Sequence, residues 1–189
     1  MSSARSTAPR PATIDDLLKV EGKAELIDGR IVRFMPVGHE PNQIAGEIFL
    51  SLKMYIRATG RGFAYTDSMG FAVPKLRSGR QSFSPDTSYY DGPPPANPMK
   101  FVDGPPTFAV EVRSENGYGP AAEKDMAAKR ADYFEAGTLV VWDVDPRDGV
   151  IRAYKAGEPT PMIVFAEGDV ADAEPAVPGW RMPVSEIFG

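Results

Sequence analysis

Two acidic residues and one lysine in the middle of the chain have the types and spacing for metal-assisted hydrolysis. Asp86 follows Ser84-Pro85, and Glu111 lies within Thr107-Phe108-Ala109-Val110-Glu111-Val112-Arg113-Ser114. In the second stretch Phe108, Val110 and Val112 alternate with Ala109, Glu111 and Arg113, which is the period of a strand. Residues two apart on a strand share a face, so Glu111 and Arg113 project together from an otherwise apolar segment. A carboxylate in a buried strand is costly unless it is paired or holds a metal. Asp86 and Glu111 on neighbouring strands would repel each other, and a hard divalent cation with oxygen ligands relieves that repulsion. Taken singly, each has a plainer reading: Asp86 starts a turn, and Glu111 pairs with Arg113 or Lys129.

The lysine comes from the next element. Ala121 to Ala136 is rich in strong helix formers, and Pro120 suits a first helical turn. At 100° per residue Ala122, Met126, Lys129 and Tyr133 fall in one narrow stripe, with Lys124 on the opposite side. Lys129 therefore points toward the sheet, where an ammonium needs a carboxylate, a phosphate or a task. Asp125 and Tyr133, one turn either side, would tune and position it.

The surrounding elements follow from pattern. Thr13 to Lys19 is a short helix with Thr13 as N-cap and Asp16 at the capping-box position. Glu25 to Val32 is a hairpin turning on Asp28-Gly29; Glu25 reads as a strand-end surface charge that could also sit near a metal. Pro41 to Arg57 is an amphipathic helix with Ile44, Ile48, Leu52 and Tyr55 buried. Glu47 lies on the border of that stripe, either a third carboxylate for the site or a solvated rim charge. His39, before this helix, is a secondary candidate, though a lone histidine at such a junction more often has a structural role. Strands are expected over Phe63 to Pro74 and Ser84 to Asp91, then an irregular Pro/Gly-rich crossing from Gly92 to Pro106. Leu139 to Val144 reads as a buried strand, Val150 to Lys155 as its partner, and Met162 to Phe165 as an edge strand.

Composition removes several classes. The chain has no cysteine and one histidine, which excludes disulfides, thiolate metal sites and a histidine-rich zinc site. No apolar run approaches the roughly 20 residues needed to span a bilayer. Met1 to Ala12 lacks the apolar core of a signal peptide; it reads as a disordered lead-in, and the protein as cytoplasmic. A net charge of −5 argues against coating nucleic acid by bulk charge. A local basic patch at Lys75, Arg77 and Arg80 remains open beside the plainer reading of a solvated loop.

Pro85-Asp86 followed by Glu111-x-basic resembles the PD-(D/E)XK nuclease signature. The ordered set across the chain resembles the Uma-type family of restriction endonuclease-like proteins. That set is Ala24-Glu25-Leu26-Ile27-Asp28-Gly29, His39 opening a helix, Pro85-Asp86, Glu111-Val112-Arg113-Ser114, the Asp125, Lys129 and Tyr133 spacing, Trp142-Asp143-Val144-Asp145-Pro146, and Pro178-Gly179-Trp180. The resemblance implies an α/β restriction endonuclease-like fold, with a central mixed β-sheet flanked by α-helices and an N-terminal β-hairpin, over a single domain at residues 13–189. It also implies a homodimer acting on DNA, with Mg²⁺ or Mn²⁺ held by Asp86, Glu111 and the carbonyl of Val112. The site is expected at one sheet edge. The signature's lysine is Arg113 here. Arginine cannot serve as a base, though it can hold a phosphate, so catalysis would depend on Lys129, which matches the position from which similar nucleases supply their lysine. The alternative is a nuclease-fold module that binds nucleic acid or protein without cleaving.

Overall fold

A computed structural model of the chain describes residues 10–157 and 163–189. Most of the proposed lead-in, and Met162 of the expected edge strand, lie outside the described residues.

From the start come α1 (Ile14–Leu17), the hairpin strands β1 (Ala24–Ile27) and β2 (Arg30–Arg33), and the long helix α2 (His39–Thr59). Then follow β3 (Phe63–Thr66), β4 (Phe71–Ala72), β5 (Ser82–Phe83), β6 (Thr87–Tyr90), β7 (Val102–Asp103) and β8 (Phe108–Val112). The remainder is α3 (Pro120–Ala136), β9 (Val140–Asp145), β10 (Val150–Lys155), β11 (Ile163–Phe165), β12 (Val170–Asp172), β13 (Arg181–Pro183) and α4 (Ser185–Phe188). Among the described residues, no helix is long and apolar enough to cross a membrane.

The centre is a six-stranded sheet in the order β11-β10-β9-β8-β6-β3. β8 and β9 are parallel and joined by α3, while the other neighbours are antiparallel, so the sheet is mixed. The strand period of β8 divides the core cleanly. Phe108, Val110 and Val112 pack with Ile44, Ile48 and Leu52 of α2 on one face. Ala109 lies on the other face, with Phe83, Val141 and Tyr133 of α3. Glu111 and Arg113 therefore face α3. Trp142 and Trp180, with ring centroids 5.2 Å apart, help to close the α2 side.

The hairpin turns as expected: Asp28 (φ 46°) and Gly29 (φ 68°) both adopt the left-handed conformation that a two-residue turn of this twist requires. It is seated on the segment before β5. Ile27 bridges Arg80, the amide of Gln81 donates to the carbonyl of Leu26, and the amide of Leu26 donates to Ser82 Oγ. Gly79 permits this approach, since a Cβ there would lie 2.9 Å from that of Asp28. The capping box of α1 forms on Thr13 and Asp16.

Two expectations are corrected and one alternative is closed. The strand expected over Phe63 to Pro74 breaks after Thr66, where Ser68 turns left-handed (φ 72°). Of the two readings of the basic loop, the solvated one holds for Lys75 and Arg77, which pair with Asp28 and Glu135 at the surface, while Arg80 is buried and belongs to neither. The acidic pair sits beside interior strands β6 and β8 rather than at a sheet edge.

Candidate active site

Asp86 precedes β6 and lies across from Glu111 on β8, one step beyond the Thr87–Val110 pair. Its amide donates to the carbonyl of Val110 (3.1 Å), and its Oδ2 accepts from the amide of Val112 (2.8 Å). These two bonds fix the carboxylate against the end of β8. Its Oδ1 receives the ammonium of Lys23 at 2.5 Å.

Glu111 is buried, and its Oε1 receives two donors: the hydroxyl of Tyr133 at 2.6 Å and the ammonium of Lys129 at 2.7 Å. Burial pushes the Glu111 carboxyl above its usual range; Lys129 opposes the shift and Asp86 adds to it. Burial also pulls the Lys129 ammonium down, but Glu111 and Glu25 outweigh it and hold the group above its ordinary value. Lys129 is thus held as an ammonium between the two carboxylates. Burial, then the Glu111 charge, drives the Tyr133 phenol well up, so it too stays a donor. Its ring is stacked on Phe83 with centroids 4.2 Å apart.

Behind Lys129 stands Glu25, which is 0% exposed. Its carboxylate is 3.3 Å from Lys129 Nζ, accepts from the amide of Ser84 at 3.0 Å and pairs with Arg80. Arg80 in turn donates to Asp132 at 2.8 Å. Glu25 is therefore a buried partner of the site and not a surface charge. The reason is the hairpin's seat, which turns the start of β1 into the core.

The remaining candidates separate. Arg113 is committed to carboxylates: Nε and Nη2 each donate to Asp143 at 2.7 Å, and its other side-chain hydrogen bonds among the described residues are to Glu123. Those bonds hold its guanidinium above its ordinary value and use the fork that would otherwise clasp a phosphate. Asp125 is exposed, and among the described residues it makes no hydrogen bond or ion pair. Glu47 is exposed on α2, in a groove with Leu50 and Met54 that shares no residue with the acidic site. His39 is exposed at the rim, as the first residue of α2.

Lys23 was missed as a member of the site, and Glu25, weighed for it, was read first as a strand-end surface charge. Their spacing of two at the start of a strand is the same signal that paired Glu111 with Arg113, and it would have put both on one face. Lys23, Asp86, Glu111, Arg113 and Lys129 line a cavity of about 740 Å³, together with Phe34 and Met35, while Glu25 stands behind Lys129 and outside that wall.

A family model described as "Putative restriction endonuclease", Uma2, matches residues 13–185. The chain belongs to the Uma2 family. It is also similar in fold to a solved structure from Anabaena variabilis ATCC 29413, titled a "putative nuclease belonging to DUF820". That similarity has a TM-score of 0.74 and 16% identity, and covers 94% of this chain and 98% of the other. No curated protein matches. The fold of this Uma2 chain is thus the restriction endonuclease-like α/β fold, with its mixed sheet, flanking helices and N-terminal hairpin.

Uma2 proteins as a nuclease family imply a divalent metal. Among the described residues, no group of three or more His, Cys, Asp or Glu forms a ready cage. The donor chemistry still fits a hard cation. Asp86 Oδ1 is held by an ammonium alone, and Glu111 Oε2 has no hydrogen bond among the described residues while its side chain lines the cavity. Two carboxylates with retained waters satisfy Mg²⁺, which is reluctant to dehydrate.

Proposed function

We propose that this protein is a Mg²⁺- or Mn²⁺-dependent endonuclease that hydrolyses phosphodiester bonds in DNA. The observation carrying this reading is the Lys129 ammonium 2.7 Å from Glu111 in the cavity that Asp86 also lines. Asp86, Glu111 and the Val112 carbonyl would hold the cation. When bound, such a cation supplies an activated water and stabilises charge on the scissile phosphate.

The chain's own residues do the rest. Tyr133 holds Glu111 Oε1, which leaves Oε2 available to a cation. Lys129, held between Glu111 and Glu25, orients the attacking water or donates to a phosphate oxygen. Glu25, fixed by Arg80 and the Ser84 amide, holds Lys129 in that place. Arg113 ties the end of β8 to Asp143 of β9 and Glu123 of α3, and so positions the strand that carries Glu111. A homodimer in the cytoplasm is part of the same reading, because two sites suit a double-strand cut.

Nicking of supercoiled plasmid tests it. With Mn²⁺ or Mg²⁺ the wild type is expected to nick, and Lys129→Met to lose at least about a hundredfold in rate, as for a lost donor to developing charge. Nicking that survives Lys129→Met, or that proceeds unchanged in a chelator, would refute the assignment. A second reading, a module that binds nucleic acid without cutting, is favoured by the commitment of Arg113 to Asp143 and Glu123. Binding without cleavage across a range of metals would select it.

A further inference from the structure

We propose that Lys23 is a resident counter-ion that competes with the metal for Asp86 and withdraws to Asp67 when the metal enters. This inference rests on the reading of Asp86 and Glu111 as cation ligands. Lys23 Nζ lies between two carboxylates, 2.5 Å from Asp86 Oδ1 and 2.7 Å from Asp67 Oδ1. The two partners differ in place. Asp86 is in the cavity wall beside Glu111, with 13% of its side chain exposed. Asp67 is 37% exposed, sits in the turn after β3 and is not part of that wall. Its Oδ1 is fixed by the amide of Ser68 at 2.8 Å, so the outer carboxylate holds its position independently of Lys23.

The chemistry follows from charge. Asp86 Oδ1 has no other partner among the described residues, so the ammonium occupies the lone pairs that a divalent ion would need. A divalent ion there would face the Lys23 charge at contact distance, where like charges repel strongly even at a screened effective dielectric. The side chain need not leave the protein to relieve this, because breaking one contact and keeping the other is enough. Lys23 thus keeps the metal-free carboxylate paired, weakens metal binding, and leaves Asp86 open without creating an unpaired ammonium.

The test measures Mn²⁺ dissociation constants on the full chain, by the loss of the free-ion paramagnetic resonance signal, for wild type, Lys23→Met, Asp67→Asn and the double variant. Lys23→Met is expected to tighten Mn²⁺ binding by about tenfold or more. Asp67→Asn is expected to weaken it, because the ammonium loses its outer station. The weakening should vanish in the Lys23→Met background, since Asp67 acts only through Lys23. Lys23→Gln, which can still hydrogen-bond both carboxylates, replaces Lys23→Met if the apolar variant does not fold. The proposal is overturned if removing the ammonium leaves affinity unchanged. It is equally overturned if Asp67→Asn weakens binding by the same factor with and without Lys23, which is the behaviour of diffuse charge. Wild type that binds Mn²⁺ with no response to Lys23→Met removes the counter-ion and leaves the metal reading standing. Absence of binding in every variant removes both.

Discussion

Glu25→Ala is the most demanding test of how the site is held together. Glu25 is 0% exposed, and its carboxylate meets Lys129, the Ser84 amide and Arg80. Truncation leaves Arg80 with Asp132 and Lys129 with Glu111, and each cation becomes under-compensated in a dry environment. Removing one partner of a buried ion pair costs about 3–5 kcal/mol. For a chain of this size that corresponds to a fall in melting temperature of roughly 10 °C. Thermal and urea unfolding followed by circular dichroism would measure it, and the urea midpoint should fall without a change in slope. Glu25→Gln keeps the shape and an acceptor for Ser84, so it should lose less. A loss below about 1 kcal/mol for Glu25→Ala would return Glu25 to the role of a strand-end surface charge. The account of Lys129 as a clamped ammonium would fall with it.

Other outcomes are expected from the same geometry. Asp145 accepts from Tyr118, Arg152 and the amides of Arg147 and Asp148. Burial alone would raise its carboxyl, but the bonds from Arg152 and Tyr118 prevail and hold it below its usual value. Its contribution to stability is therefore present above about pH 4 and is lost as pH falls through the depressed folded value. Urea unfolding across the acid range should show a shallower acid decline in Asp145→Asn than in wild type, and equal declines would refute this. Asp125→Asn and Glu47→Gln, both exposed, should change stability by no more than about 0.5 kcal/mol and leave plasmid nicking intact. A large loss of nicking in either would restore it to the site.

The sequence was most legible where a side chain's direction follows from a regular period. Strand alternation put Glu111 and Arg113 on one face of β8, and helical spacing turned Lys129 and Tyr133 toward it; both hold in the structure. The same helical argument failed for Asp125. Of the helix from Pro120 to Ala136, only Asp132 and Tyr133 are buried, so its early turns overhang the sheet and direction around the axis does not decide contact there. Glu47 failed for a related reason, since a border position on an amphipathic helix is settled by what the helix packs against. The burial of Arg80 and Glu25 was hidden for another cause. Their burial depends on the hairpin meeting a segment some fifty residues away, a long-range seating that no local period encodes. Arg113 was placed correctly, but its partners Glu123 and Asp143 come from two other elements, so its occupation could not be read along the chain.

The seating of the hairpin on residues 80–82 has a wider consequence. Both Lys23 and Glu25 arrive on that one ribbon, whereas Asp86, Glu111 and Lys129 belong to the sheet and its crossover helix. Displacing the ribbon would take Lys23 and Glu25 out of the site together, the first from the cavity wall and the second from behind Lys129. The site's net charge would not change, but Lys129 would lose its rear anchor and Asp86 its lid. Whatever governs docking of this small ribbon thereby governs the polar interior as a unit.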